Sequence, residues 1–298
     1  MNQVITIVTK DKLSTLKKTI TTISNIINED GKVQKYVSLS LSAMDIMFIC
    51  EKKSINKIKR NIYKYLKNYP VDFYIQNQTN RKKKLLACDM DMTILTFESI
   101  NRMANEAGIY KNIEKETKKA VSGKSNFSDS IIKRTKMFKG YHKDICLKIF
   151  ENKNCFTPGS KILINTMRAH KNITILISGG YSIVAEYAAF ILGFDQVHAN
   201  KLILTKNIIN GELEKEIIDC KAKKKILIQK ASELDVSLSD TIAIGDGAND
   251  IEMLEIAGLG IGWRPQEIVK NYSKANIHYT DLKTVLYFQG YKEKEFIY

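Results

Sequence analysis

The chain has few of the features that mark secreted, metal-stapled or membrane-spanning proteins. Its five cysteines, at positions 50, 88, 146, 155 and 220, form no Cys-x-x-Cys pair, and its four histidines are equally scattered. Neither a disulfide framework nor a zinc site is expected, and a reducing compartment follows. No run approaches the ~18 apolar residues that a membrane-spanning helix needs. The first residues, with Asp11 and several lysines, lack an apolar stretch ending in small residues, so export is not signalled and a cytoplasmic location without membrane contact is expected. No internal repeat or low-complexity segment stands out. Acidic residues are in the minority: 32 Asp and Glu against 47 Lys and Arg leave a formal charge of +15. Such a chain attracts phosphate whatever its sequence. The dense basic runs at residues 81–84 and 221–225 nevertheless lack interleaved aromatics and any recognition pattern, so solvated faces rather than specific nucleic-acid contacts are expected there. An anionic substrate suits the same charge.

What is present is ample apolar material, 44% of 298 residues, enough for one large domain or two smaller ones. Residues 1–80 read as a unit. Residues 4–8 form a strand, and Leu13, Leu16, Ile20, Ile23 and Ile27 mark one helical stripe. Two extended stretches follow, 33–41 and 44–50. Ile55, Ile58, Ile62 and Leu66 then mark a second helix, and 71–75 a last strand after Pro70. The order strand, helix, strand, strand, helix, strand fits a small α+β module of the ferredoxin-like or ACT-like kind, with no ligand motif of its own. Its role is read equally as regulation or as packing and dimerisation, which leaves a homodimer open. The polar segment 76–84 is expected to be a linker, dividing the chain into 1–80 and 81–298.

From residue 85 an apolar run breaks abruptly into Asp89 and Asp91. The run reads as a buried strand. An isolated Asp-x-Asp often only caps a turn, so the remaining segments decide its meaning. A helix from 97 to 107 ends at Gly108, and residues 109–154 stay helical and charged, as an inserted cap would. Further on come a helix at 160–170, a strand at 173–177, and Ser178-Gly179-Gly180 opening another helix that ends near Gly193. Residues 197–213 read as a hairpin around Lys206-Asn207. A helix at 221–234 is followed by a strand at 241–244 that ends in Gly245-Asp246-Gly247, a helix at 249–257, strands at 259–262 and 276–279, and a terminal helix at 281–288. Alternating strands and helices predict an α/β fold with a mostly parallel sheet, its ligands bound beyond the carboxyl ends of the strands.

Three strands therefore end in chemistry at one sheet edge: Asp89 and Asp91, then Ser178 to Gly180, then Asp246 with Asn249 and Asp250. Clustered carboxylates repel and raise one another's pKa values unless a cation sits among them, and a few hard oxygen ligands favour magnesium. Ser178 and the amides of Gly179 and Gly180, placed at a helix N-terminus, would form an anion site, and Lys223 would add a compact cation. Magnesium, an anion site and a lysine together describe phosphoryl transfer.

Over roughly residues 83–290 the sequence resembles the haloacid dehalogenase superfamily and, within it, the phosphoserine phosphatases. Asp89-Met90-Asp91-Met92-Thr93 is similar to the first motif of that family, Ser178-Gly179-Gly180 to the second, Lys223 to the lysine of the third, and residues 245–250 to the fourth. Glu98, Phe127 after Asn126, and Arg134 match the positions that contact the substrate. The resemblance implies a Rossmannoid core with a helical cap at about 97–155. It also implies magnesium-dependent hydrolysis of O-phospho-L-serine to serine and phosphate, the last step of serine biosynthesis. Asp89 would be the nucleophile and Asp91 the acid and base. Asp89, the backbone carbonyl of Asp91 and the Asp246 side chain would hold the metal, with Asp250 and Asn249 in support. Ser178, the Gly179 amide and Lys223 would bind the phosphoryl group. Glu98 would take the substrate ammonium, Arg134 its carboxylate, and Phe127 would exclude water. Cys88, His198 and Trp263 are read as structural. Met92 departs from the family pattern, which has serine or glycine there. Two rival readings are a phosphatase or phosphotransferase acting on another small phosphomonoester, and a basic nucleic-acid-binding protein on a vestigial phosphatase fold.

Overall fold

A computed structural model describes residues 1–12, 16–121, 126–151 and 154–298. The chain opens with β1 (Asn2–Thr9), α1 (Lys17–Asp30), β2 (Gly31–Ser38), β3 (Ala43–Cys50), α2 (Ile55–Leu66) and β4 (Val71–Asn77). These strands form an antiparallel sheet in the order β2-β3-β1-β4, so the expected β-α-β-β-α-β arrangement is present. The stripe on α1 is real where it is described: Ile23 and Ile27 are fully buried, and Ile58, Ile62 and Leu66 do the same on α2. Leu13, the first residue of the expected stripe, lies outside the described residues. β1 is buried on both faces. Ile5 and Ile7 pack with the two helices, whereas Val8 joins the larger core behind the sheet.

The rest of the chain continues with β5 (Leu85–Cys88), α3 (Ser99–Glu106), α4 (Tyr110–Val121), α5 (Phe127–Lys136), α6 (Ile145–Lys148), α7 (Ser160–Ala169), β6 (Ile173–Tyr181), α8 (Ser182–Leu192) and β7 (Gln196–Asn200). After these come β8 (Leu202–Thr205), β9 (Ile208–Leu213), α9 (Cys220–Glu233), β10 (Thr241–Gly245), α10 (Ile251–Ile256), β11 (Leu259–Trp263), β12 (Ala275–Ile277) and α11 (Thr284–Phe288). Six of the strands form a sheet in the order β12-β11-β10-β5-β6-β7, every neighbouring pair parallel. The chain builds outward from β5 in one direction through β6 and β7, and from β10 in the other through β11 and β12. The switch point therefore lies between β5 and β10, where a crevice opens beyond the strand ends. Strands β5, β10 and β11 are buried at every residue, as a sheet covered on both faces requires.

Three expectations need correction. Residues 197–213 are not one hairpin: Gln196–Asn200 joins the parallel sheet, and only β8 and β9 form the hairpin. Its turn is at Lys206-Asn207, both with positive φ (50° and 67°), as a two-residue turn matching strand twist demands. Second, β6 runs on to Tyr181 and α8 starts only at Ser182, so Gly179 and Gly180 lie in an irregular strand end rather than at a helix N-terminus. The ladder explains this. Ile177 pairs with His198 but Tyr181 with Asn200, so the segment between bulges out of register.

Third, the segment 76–84 is not a solvated linker. Gln76 and Asn77 complete β4, and Arg81 and Lys83 are buried while Lys82 and Lys84 face out. Arg81 donates from Nη1 to Asp45 Oδ2 (2.7 Å) and from Nη2 to Asp45 Oδ1 (3.1 Å) and Thr6 Oγ1 (2.9 Å). It also reaches the carbonyl oxygens of Tyr287 and Phe288, tying the small sheet to α11. Lys83 Nζ donates to the carbonyls of Asn80 and Ser239, both at 2.7 Å. On the other side Asp72 accepts from the amides of His278 (2.7 Å), Tyr279 (3.1 Å) and Thr280 (2.8 Å). Basic density in a sequence does not reveal that a buried carboxylate awaits one of its members. Removing one partner strands the other in the interior, so Arg81→Ala should destabilise the protein by about 3–5 kcal/mol, whereas an apolar double replacement of Arg81 and Asp45 should cost far less. Chemical denaturation checks this, and equal losses in the single and double variants would contradict it.

Candidate active site

Strands β10, β5 and β6 are neighbours and parallel, so their carboxyl ends bring the three sequence motifs together. The Asp89 amide donates to the Ile244 carbonyl at 2.9 Å, extending the β5 ladder by one residue and fixing where its side chain emerges. Asp89 is 3% exposed. The chain then turns tightly, with Met92 in the left-handed region (φ 56°, ψ −1°) and the Leu95 amide closing back on the Met90 carbonyl at 2.8 Å. A side chain there costs roughly 1–2 kcal/mol, which is why glycine suits the position. The Met92 side chain is 42% exposed and stays out of the core.

Lys223 is fully buried, at 0% exposure. It sits on the first turn of α9, whose N-cap Asp219 accepts from the Ala222 amide at 2.9 Å. Its Nζ donates to Asp89 Oδ1 and to Asp250 Oδ1, the latter at 2.7 Å. Burial alone would lower the pKa of this lysine, but Asp250 and Asp89 outweigh it and raise the value above the ordinary one. Asp250, also fully buried, accepts at Oδ2 from the Gly247 amide at 3.2 Å. Its carboxyl group presses on the Gly245 backbone so closely that no β-carbon fits at 245. Asp246, on the turn between them, is steadied by Thr93 Oγ1, which donates to its Oδ1 at 3.4 Å.

The carboxylates of Asp89, Asp246 and Asp250 come within 4.8 Å of one another. Burial, and then the charge of Asp250, pushes both Asp89 and Asp246 up, Asp246 to about 7. Two buried acids and the half-buried Asp246 beside one ammonium leave negative charge uncompensated, and their hard oxygen donors fit a small divalent cation. The Asp91 side chain is directed elsewhere: its Oδ1 accepts from the Ser99 amide at 2.7 Å, and burial raises its pKa while that hydrogen bond lowers it.

Across the crevice, the Ser178 hydroxyl accepts from the Gly180 amide at 2.9 Å, so that amide is already engaged. Gly179 lies against the cap. A β-carbon there would stand 2.5 Å from Phe127 Cζ. Phe127 is the first residue of α5, whose N-cap Asn126 accepts from the Asp129 amide at 2.7 Å. Arg134, two turns further along α5, is buried rather than a surface charge, and its Nε donates to the Ser130 carbonyl at 3.3 Å. Glu98 stands at the solvent-exposed mouth. The surrounding protein, then the charges of Asp91 and Asp246, push its carboxyl up to about 8, while Arg134 pulls the other way. Asn249 is partly exposed on the turn leading into α10. Helix α5 is joined to the end of β6 by a buried hydrogen bond between Thr135 Oγ1 and Tyr181 OH (2.9 Å). The two connections of α3–α6 to the core run side by side, bridged at Leu95 and Phe156.

Cys88 and Trp263 are buried core residues, and burial raises the Cys88 thiol well above its ordinary value. His198 is half-buried with its pKa lowered, mainly by burial. Thr93, Asn200 and Tyr181 contribute to the site without having been singled out by sequence. Thr93 stands inside the first motif, where its neighbours drew the reading. Asn200 and Tyr181 carry no pattern at all.

A buried acidic crevice at the switch point of a parallel sheet, with a lysine between two of its aspartates, has known relatives. The model of the haloacid dehalogenase-like hydrolase family matches residues 86–255, and the chain belongs to that family. Among its individual relatives, the phosphoserine phosphatase of Methanocaldococcus jannaschii is 34% identical over 208 residues, 69% of this chain and 97% of that protein. A haloacid dehalogenase family hydrolase of Salmonella enterica serovar Typhi superposes with a TM-score of 0.86 at 25% identity, covering 96% of this chain and 98% of its own. A phosphoserine phosphatase solved as a phospho-aspartyl intermediate analogue is 34% identical, with a TM-score of 0.64 over 70% of this chain and 99% of its own. The chain is thus a hydrolase similar to phosphoserine phosphatases over about 70% of its length, and its fold is matched along nearly the whole chain.

Because Asp89 and Asp246 hold their protons above the usual carboxylate range when no cation is present, a divalent cation must displace protons to bind. Its affinity should therefore rise as pH climbs toward and through about 7, where Asp246 titrates, with proton release accompanying binding below that range. Calorimetry in buffers of different ionisation enthalpy checks this, and a pH-independent affinity with no proton release would contradict it.

Proposed function

We propose that the protein hydrolyses O-phospho-L-serine to L-serine and phosphate through a phosphorylated Asp89, with magnesium as cofactor. The observation that carries the substrate reading is the pairing of an acidic Glu98 at the mouth with a buried Arg134 above Asp91, an arrangement suited to an amino acid's ammonium and carboxylate. Arg134 suits the carboxylate because its planar fork can make two parallel hydrogen bonds, which a lysine cannot copy. The names of the relatives point the same way. We likewise propose that residues 1–80 and 81–298 are separate domains and that about 97–155 acts as the cap.

In this reading Lys223 orients Asp89 and favours its ionised form against the burial and the Asp250 charge that oppose it, so that a carboxylate oxygen attacks phosphorus. A new bond forms between Asp89 and phosphorus as the bond to the serine oxygen breaks, and Asp91 gives that oxygen its proton. The hydrogen bond from Ser99 holds one Asp91 oxygen and leaves the other for this transfer. Water then attacks phosphorus, returns a proton to Asp91 and frees Asp89. Ser178, the Gly179 amide and Lys223 stabilise the charge on the transferring oxygens. Phe127 closes over Gly179 and keeps bulk water out. Magnesium would be held by Asp89, the Asp91 carbonyl and Asp246, with Asp250 and Asn249 in support, and it would supply charge neutralisation at the phosphate.

The purified protein should release phosphate from phosphoserine with magnesium and stop on chelation. Asp89→Asn should lose at least about 10⁴-fold in kcat while keeping its melting temperature. Undiminished phosphate release by that variant would overturn the mechanism. Arg134→Lys should raise KM for phosphoserine by about 10- to 100-fold, as expected when a fork-shaped charge-assisted contact is lost. A preference of the wild type for another phosphomonoester, with no effect of Arg134→Lys on phosphoserine, would overturn the substrate.

A further inference from the structure

The bulge that carries Ser178, Gly179 and Gly180 poses a physical problem. It has left the ladder between β6 and β7, so its backbone polar groups lose the partners that a regular strand would give them. Its central residue is a glycine, the residue least able to hold a conformation by itself. Phe127 excludes any β-carbon at that position, so no side chain can supply the stiffness. Preorganised donors must nevertheless be held in place before charge develops on the substrate.

Asn200 supplies the missing constraint. It is the last residue of β7, opposite Tyr181 in the ladder and 3% exposed. Its Nδ2 donates to the Gly179 carbonyl at 2.8 Å, and its Oδ1 accepts from the Ile218 amide at 2.9 Å. Both ends of one side-chain amide are thus used, each on a backbone group. Ile218 immediately precedes Asp219, the N-cap of the helix that delivers Lys223. The Ile218 carbonyl also lies 3.3 Å from where a β-carbon of Gly179 would stand, so the two strands of chain are in contact there. One asparagine therefore fastens the glycine bulge on one side and the entry to the Lys223 helix on the other. The segment between, residues 201–217, carries the β8–β9 hairpin, which is bonded to the cap through Gly140, Tyr141 and Lys143.

We propose that Asn200 is a positioning residue for the phosphoryl-binding half of the site: it fixes the Gly179 peptide and the start of the Lys223 helix relative to each other. It does not touch the substrate. This inference rests on the reading of Gly179 and Lys223 as phosphoryl-binding groups. The serine half of the site, Glu98 and Arg134, is supported from other elements, and loss of Asn200 should leave it intact.

The test compares wild type with Asn200→Ala and with the nearly isosteric Asn200→Asp. The aspartate can still accept from Ile218 but sets a carboxylate oxygen against the Gly179 carbonyl. Hydrolysis of phosphoserine and of a generic aryl phosphate is measured, together with inhibition by inorganic phosphate and by L-serine and with melting temperature. Per folded molecule, kcat should fall about 10- to 100-fold on both substrates, the scale of a displacement of about 1 Å at a reacting centre. The inhibition constant of phosphate should rise about 10-fold, by the same displacement, while that of L-serine stays unchanged. Unchanged kcat and phosphate inhibition in a folded Asn200→Asp protein would overturn the proposal, as would equal weakening of phosphate and L-serine. Wild type that hydrolyses the aryl phosphate but not phosphoserine would overturn the substrate reading alone, because the effect of Asn200 is still read on the aryl ester.

Discussion

The structure depends on one arrangement: a fully buried lysine ammonium held between two buried carboxylates, Asp89 and Asp250, with a third, Asp246, within reach. Charges taken out of water are costly unless their partners are close and well aimed. The fold meets this demand by letting three separate segments converge. The β5 strand end delivers Asp89, the turn after β10 delivers Asp246 and Asp250, and the first turn of α9 delivers Lys223. Even so the cluster is short of positive charge, and burial first and then the charge of Asp250 raise Asp89 and Asp246. A site built this way is organised for a cation and for a substrate whose charge is redistributed during reaction.

Around that centre the architecture separates two tasks. The core strands hold the groups that would meet phosphorus in the proposed reaction, while helix α5 carries Phe127 and Arg134. Among the described residues, helices α3–α6 are joined to the core at the bridge between Leu95 and Phe156, by the Thr135–Tyr181 hydrogen bond, and through the backbone bonds to the β8–β9 hairpin. The small antiparallel sheet is fixed just as firmly, through Arg81 on Asp45 and through Asp72 on the amides of residues 278–280.

Much of this was legible in the sequence because it rests on short-range signals. Apolar runs gave the buried strands, and three- and four-residue spacing gave α1 and α2. Asp89, Asp91, Ser178, Lys223 and Asp246 stand in contiguous motifs at strand ends or helix starts. What escaped depends on partners remote in the chain. Basic residues in the run at 81–84 look alike, yet Arg81 and Lys83 turn inward while Lys82 and Lys84 do not. Periodicity could not show that β6 continues past residue 177 as a bulge, because two glycines leave no side-chain pattern to read. Nor could it show that residues 196–200 belong to the parallel sheet, since their burial is only partial. Asn200 carries no local signal, and its importance exists only where β7, the glycine bulge and α9 meet.

With Asp89 as the proposed nucleophile, phosphorus is attacked twice, first by Asp89 and then by water. The stereochemical course at phosphorus tests it most directly, using a phosphorothioate analogue of phosphoserine made chiral by oxygen isotopes and hydrolysed in isotopically labelled water. Two in-line displacements predict net retention of configuration. Net inversion would mean that water attacks the substrate directly, and would contradict the assignment of Asp89 as nucleophile.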